Sequence, residues 1–366
     1  MTRPLRIVIL GLSITSSWGN GHATTFRGLV REMAARGHDV LFLERDAPWY
    51  ADHRDLPAPP YGRTALYGSR DELEEKWTDA VREADAVVVG SYVPDGVAVG
   101  RWVQQAARGL RAFYDIDTPV TLSALRRGTC AYLAPEMIPD YDLYLSFAGG
   151  PALTQLRAEF GSPRAVPLYC SVDPALYFPQ DDPPGAEAAE DAYDLGYMGT
   201  YSDDRQPPLD RLLLEPARRW PEGRFVVAGP QYPDWVRWPG NVARIEHLPP
   251  AAHREFYGRQ RWTLNVTRAD MIHLGWSPSV RLFEAAACGV PVISDWWEGL
   301  DTFFVPGEEI VIARSAEDTL RALRDVPEAE RQAIGARARA RVLAAHTAVH
   351  RAQELETYLT DTERHA

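Results

Sequence analysis

Short apolar runs punctuate the first half of the chain at residues 5–12, 38–44, 85–91, 110–115, 142–147 and 164–169. They run without polar alternation, which is the pattern of strands buried on both faces. Between them lie segments of helical period, such as residues 25–36, where Phe26, Leu29, Val30 and Met33 fall on one face. Strands alternating with helices predict a parallel sheet covered on both sides. The stretch 173–192, DPALYFPQDDPPGAEAAEDA, is rich in Pro, Ala and acids and has no apolar period, so it reads as a linker. A second series follows, with strands at 193–199, 224–229, 262–266, 290–294 and 310–313 and helices near 206–219, 278–287 and 316–325. The tail from 328 to about 360 is Ala- and Arg-rich and helical in pattern. The expected fold is α/β: two Rossmann-like doubly wound domains facing across a cleft, residues 1–172 and 193–345, joined by 173–192 and followed by a helix in 346–366. Ligands of such sheets bind beyond the carboxyl ends of the strands.

Composition narrows the chemistry. A length of 366 residues suits two units of ordinary size, and a net charge of −12 argues against a general nucleic-acid or membrane-surface binder. Of 39 basic residues only Lys76 is a lysine, and it sits in the charged run DELEEKW. A Walker-type phosphate loop, a lysine Schiff base and a Tyr-Lys dehydrogenase pair all need a lysine in a context absent here. Phosphate would therefore be held by arginine, histidine or backbone N–H. Cys130, Cys170 and Cys288 are too far apart for a zinc knuckle and odd in number, so they read as reduced thiols. The N-terminal apolar run is too short for a signal-peptide core or a membrane span, which makes cytoplasmic residence the expectation.

The most informative stretch is 277–295, SPSVRLFEAAACGVPVISD. Ser277 reads as an N-cap and Pro278 as the first helical residue, so free N–H groups open toward an anion. Arg281 and Glu284, three apart, place a phosphate fork beside a two-oxygen hydroxyl acceptor; the competing reading is a solvated ion pair. Ser279 joins this candidate donor set. Small residues Ala285, Ala286, Ala287 and Gly289 allow close packing on the strand that follows. Earlier in the second series, GTYSDDR offers Gly199 and Thr200 for close backbone approach and Arg205 for a pyrophosphate, and NVTRAD offers Arg268. Arg205 and Arg268 could instead pair with Asp203, Asp204 or Asp270.

After the first strand the chain lacks the G-x-G-x-x-G spacing of a dinucleotide site. Gly19, Asn20 and Gly21 lead instead to His22 at the start of the first long helix, where a neutral imidazole is favoured and could act as a general base. The plainer alternative is a histidine that caps its helix. Asp115 or Asp117 of FYDIDTP is expected to orient it, while the same triplet could hold a divalent metal or, at Asp117, cap a helix. Trp49, Tyr50, Tyr61 and Tyr67 lie in a Pro-rich stretch that could stack on a sugar or acceptor, or simply anchor the loop. Trp49 and Tyr50, with Asn20 and Gly21, form the expected acceptor side.

On the segments SSWGNGHATTFRGLVREMAARGHDVLFLERD, YDIDTPVTL, GTYSDDR and SPSVRLFEAAACGVPVISD, the chain resembles glycosyltransferases of the GT-B fold, within them the group related to the spore-maturation protein CgeB. The resemblance spans nearly the whole length. It implies a nucleotide-sugar donor in the C-terminal domain, with Glu284 on the ribose hydroxyls and Arg205 near the diphosphate. It also implies that the last helix packs back on the N-terminal domain. Related retaining enzymes carry a second glutamate eight positions before the first, where this chain has Trp276; His22 resembles the base of inverting relatives. The expected activity is metal-independent transfer of a sugar from a nucleoside diphosphate to a hydroxyl acceptor, with no cofactor beyond that co-substrate and no nucleic-acid partner. Two rivals are epimerisation or hydrolysis on the same scaffold, and a non-catalytic module that binds a nucleotide sugar or glycan.

Overall fold

The computed structural model describes residues 3–18, 21–180 and 192–361. It divides into two compact units, Met1–Ser171 with Ala348–Ala366, and Val172–Thr347. Of the linker 173–192, residues 181–191 lie outside the described residues, and 173–180 form neither helix nor strand.

The first unit is a seven-stranded parallel sheet of β1 (Arg6–Gly11), β2 (Asp39–Arg45), β3 (Arg63–Tyr67), β4 (Ala86–Gly90), β5 (Leu110–Asp115), β6 (Leu143–Ser146) and β7 (Ala165–Pro167). Its order is β3-β2-β1-β4-β5-β6-β7, with Ile7 beside Val40 on one side and Ala86 on the other. The order turns back between β1 and β4, so the loops leaving those two strands diverge and open a crevice at the carboxyl edge. The helix His22–Ala35 buries Phe26, Leu29, Val30 and Met33 against this sheet. Gly11 has no side chain because a Cβ there would lie 2.3 Å from the Phe42 ring and 3.0 Å from Phe26. The last helix, Ala348–Thr360, packs on the first and adds Ala352, Leu355 and Leu359 to the same core.

The second unit repeats the plan with six parallel strands: β8 (Tyr193–Met198), β9 (Phe225–Ala228), β10 (Val242–Ile245), β11 (Gln260–Asn265), β12 (Val292–Ser294) and β13 (Val311–Ile312). The order is β10-β9-β8-β11-β12-β13, and the switch falls between β8 and β11. Two doubly wound parallel sheets are thus present, as the alternation of apolar runs predicts.

Three local expectations are corrected. The Pro-rich stretch around residues 47–67 contains a short helix, Pro48–Ala51, and the edge strand β3. The edge strand β10 adds a member that the apolar runs do not show. The helical tail is two helices, Glu328–Ala345 and Ala348–Thr360, because the His346 ring stacks on Phe283 (4.6 Å, 7°) and Thr347 bridges to Val172. No helix among the described residues is long and apolar enough to cross a membrane.

Candidate active site

At the switch point of the second sheet, the chain leaves β8 through Gly199 and Thr200. A Cβ on Gly199 would lie 2.4 Å from the Tyr197 hydroxyl and 3.1 Å from Arg281 Nη2, so glycine is what lets Arg281 reach across the strand ends. Arg281 Nε donates to Met198 O (2.6 Å) and Nη1 to Asn265 Oδ1 (3.0 Å), and its guanidinium lies 5.0 Å over the Tyr197 ring. Arg205 Nε donates to Ser202 Oγ (2.8 Å) and Nη2 to Thr200 O (2.6 Å). Arg268 stands just ahead of the helix Ala269–Leu274, in the loop leaving β11. Burial holds Arg205 below the usual guanidinium range; Tyr197 opposes this, and the charges of Arg281 and Arg268 add to it.

Among the described residues neither Arg205 nor Arg281 has a carboxylate partner. The expected alternative, pairing of Arg205 with a neighbouring aspartate, is therefore not what the structure holds. Asp203 instead accepts from the Tyr201 hydroxyl (2.5 Å), and Asp204 from the Ala269 amide (2.8 Å). Asp204 and Asp295 act on these arginines only at a distance, so the like charges brought together here still favour an incoming anion.

The next helix begins at Val280, with Ser279 as its N-cap residue, so Ser277 and Pro278 precede the helix rather than open it. The Ser279 hydroxyl makes no capping bond and accepts weakly from Arg281 Nη1 at 3.5 Å. Leu282 through Ala287 are buried, as the small side chains require. Arg281 and Glu284 do not pair. Arg281 turns to the strand ends, whereas Glu284, only 5% exposed, accepts from Tyr257 Oη at 3.1 Å and lies beside the Tyr177 phenol, whose proton its charge helps to hold. A carboxylate offers about four lone-pair positions, so two phenols leave capacity for a diol. Burial, then the charge of Glu284, pushes the Cys288 thiol up to about 12, which makes it inert.

In the first unit, His22 is the first residue of its helix, where Gly21 supplies no side-chain cap. Among the described residues His22 caps nothing and its enclosed Nδ1 has no hydrogen-bond partner, and burial lowers its pKa to about 4. Tyr92, from the loop after β4, sits edge-on to the imidazole at 5.3 Å and donates its hydroxyl to Asp117 Oδ2 at 3.0 Å. Asp117 thus reaches the histidine through Tyr92 and not by direct contact.

Asp115 is occupied elsewhere. It is fully buried and accepts from Tyr144 Oη (2.7 Å), Thr121 Oγ1 (2.7 Å) and the Asp117 amide (3.2 Å), with burial raising its pKa to about 6. Its oxygens are taken up inside the sheet, so the Asp-Ile-Asp triplet does not present two carboxylates to one ion.

Residues 205–357 match the family model described as "Glycosyl transferase-like". No curated protein matches the sequence of the chain. Among solved structures, sucrose-phosphate synthase from Thermosynechococcus elongatus is similar over 96% of this chain and 98% of its own, at 16% identity and a TM-score of 0.69. Anabaena Alr3699/HepE in complex with UDP and glucose is similar over 98% of this chain and 100% of its own, at 12% identity and a TM-score of 0.69. An alpha-glucosyltransferase in complex with UDP-glucose and DNA containing an abasic site reaches a TM-score of 0.71 at 12% identity, over 98% and 100% of the two chains. The fold is that of the GT-B glycosyltransferases.

Within this GT-B chain, several residues that hold the site escape a reading of the sequence. Glu44, at the end of β2, is completely buried and accepts from the Ile14 and Thr15 amides (2.6 and 2.9 Å) and from the Ser13 and Thr15 hydroxyls (3.1 and 2.6 Å). Asp55 takes both guanidinium arms of Arg27 (2.8 and 2.9 Å) and the amide and hydroxyl of Ser17, which holds its carboxyl far below the usual range although burial alone would raise it. Together they fix the loop from β1 toward His22. The only available signal was a lone acid closing the apolar run DVLFLER.

Of the expected acceptor-side residues, Asn20 lies outside the described residues and Gly21 is exposed. Trp49 is 57% exposed, while Tyr50 is buried. Tyr67 closes β3 in the core and Tyr61 packs against it, so these two anchor the loop.

Proposed function

We propose that the chain is a glycosyltransferase that moves a sugar from a nucleoside diphosphate to a hydroxyl-bearing acceptor. The observation that carries this is the cluster of Arg205, Arg281 and Arg268 at the switch point of the second sheet, two of them without a carboxylate partner. The "Glycosyl transferase-like" match over 205–357 and the complexes of similar fold with UDP and UDP-glucose support it. In this reading the guanidiniums stabilise the diphosphate as the glycosidic bond to its terminal oxygen breaks. Glu284 accepts from the ribose diol, and its two phenol partners hold it in place.

His22 is the proposed base. With Nδ1 enclosed, Nε2 is the nitrogen left to take the acceptor proton as the new bond forms. Tyr92 and Asp117 supply a polar backing. A pKa of about 4 keeps the imidazole unprotonated throughout the physiological range, so its nitrogen is open to a proton, though as a weaker base than an ordinary histidine. The pH profile of kcat/KM is accordingly expected to show no histidine limb near 6.5, because protonation of the free enzyme begins only toward pH 4. His22→Gln should lower kcat by roughly 10²–10⁴-fold and leave donor affinity unchanged. A wild-type limb at 6–7 that vanishes in the variant would contradict the enclosed imidazole described above.

The donor site is tested by isothermal titration of UDP, GDP, ADP, dTDP and CDP, with Mg²⁺ and with EDTA, starting from UDP. One nucleotide is expected to bind in EDTA, and Glu284→Gln to weaken it about tenfold, the loss of one charge-assisted bond. Equal affinity in wild type and variant removes Glu284 from the site; no binding of any nucleotide removes the transferase reading.

A further inference from the structure

Beside the loop 199–205, the connection leaving β9 carries an unusual density of aromatic residues, GPQYPDWVRWPG at 229–240. Its inner layer is locked. The Arg244 guanidinium is packed against both Tyr232 and Trp238, 4.3 Å from each ring centre, and donates to Val227 O (2.7 Å) and Gly229 O (2.9 Å). Tyr232 donates its hydroxyl to Gly199 O (3.1 Å), and the Tyr201 amide donates to Pro230 O (3.1 Å), so this layer is fastened to the arginine-bearing loop itself.

On it stand two further rings. Tyr201 is edge-on to Tyr232 (5.6 Å, 70°) and Trp235 edge-on to Tyr201 (6.1 Å, 81°). Trp235 is 59% exposed. Exposed polar residues accompany the pair: Asp203, which accepts from the Tyr201 hydroxyl, and Asp234 and Arg237, next to Trp235 in the chain.

A single exposed tryptophan requires no explanation. This one differs in being mounted on a rigid layer, next to a second ring, on the loop that carries Arg205. From this geometry we infer that Trp235, braced edge-on by Tyr201, forms a stacking platform for a pyranose ring of a saccharide substrate, at the rim of the donor site. A sugar ring presents an apolar C–H face that fits an aromatic plane, and hydroxyls at its edge that fit Asp203, Asp234 and Arg237. Two rings are far less than the roughly 800 Å² per partner that a protein interface buries. The net charge of −12 disfavours an anionic membrane surface. The occupant is therefore a saccharide and not a protein or a bilayer.

The assignment of the rim to a donor site rests on the reading of the arginine cluster given above, whereas the platform itself is tested without nucleotide. Cellotetraose, maltotetraose and chitotetraose are titrated into the wild type, Trp235→Ala, Trp235→Phe and Tyr201→Ala, each checked for folding by circular dichroism; UDP is titrated separately. One of the saccharides is expected to bind the wild type, about tenfold more weakly Trp235→Ala, and nearly normally Trp235→Phe, with UDP affinity the same in all four. Absence of binding by all three saccharides, or equal binding to wild type and Trp235→Ala, overturns the platform. Saccharide binding that depends on Trp235, with no binding of any of the five nucleoside diphosphates, keeps the platform and removes the donor reading instead.

Discussion

Arg205→Ala is expected to lower turnover about 10²–10³-fold, the usual effect of removing one preorganised donor from developing negative charge, without making the unliganded protein less stable. The reason lies in what Arg205 touches. Its two hydrogen bonds, to Ser202 Oγ and Thr200 O, stay within its own loop, and burial together with Arg281 and Arg268 disfavours its charge. Removing it relieves that repulsion, offset by the loss of its charge interaction with Asp204. Arg281 differs: it bonds to Met198 O and Asn265 Oδ1, fastening the ends of β8 and β11, so Arg281→Ala should lose stability as well as turnover. Melting curves with and without a saturating nucleoside diphosphate, UDP being the first tried, separate the two cases. Arg205→Ala should melt like the wild type when empty and lose most of the rise that the nucleotide produces, because that rise grows with the logarithm of ligand over Kd. An Arg205→Ala protein that melts early when empty and gains the full rise from the nucleotide would make Arg205 a structural residue.

The contrast between these two arginines shows how far the sequence can be read. A chain with a single lysine must use arginine for phosphate, and the positions of Arg205, Arg268 and Arg281 after strand-like runs put them at carboxyl ends; that much is pattern. Which of them also splices strands together depends on where Met198 O and Asn265 Oδ1 fall in three dimensions, and no period encodes it.

The sheets divide in the same way. Central strands such as β4, AVVVG, announce themselves by continuous burial. The edge strands β3 and β10 are half exposed and carry Arg63 and Arg244, so their composition resembles a loop. The break at His346 and Thr347 is equally hidden, since the helical period continues through it and it is the stack on Phe283 and the bridge to Val172 that interrupt it. Around His22, the residue itself was visible at a helix start. Its neighbour Tyr92 and the clamps Glu44 and Asp55 come from other loops and strands and have no local signature.

The two titrations in the first unit predict the second large effect, in stability. His22 is lowered from 6.5 to about 4, so between those values the unfolded chain holds a proton that the native one refuses, and stability is lost as pH falls through that window. Asp115 is raised from 3.8 to about 6, so in nearly the same window the native carboxyl keeps a proton that the unfolded one releases, and stability is lost as pH rises. At about 1.4 kcal/mol per pK unit, Asp115 accounts for on the order of 3 kcal/mol, and His22, whose ring keeps some surface, for less. The opposing slopes largely mask each other in the wild type.

Single variants should unmask them. Measured by urea unfolding between pH 4 and 6.5 and taken as differences from the wild type, which cancels His38 and the surface carboxylates, His22→Gln should fall with rising pH and Asp115→Asn should climb. The asparagine oxygen at the Oδ1 position keeps an acceptor for both the Asp117 amide and the Thr121 hydroxyl, and the Tyr144 hydroxyl can rotate to accept from its amide, so the change removes charge more than contact. A curve for Asp115→Asn that runs parallel to the wild type would mean that the native carboxyl is already ionised at pH 4. Its three donors would then outweigh its burial, and Asp115 would be charged throughout this window instead of neutral below about pH 6.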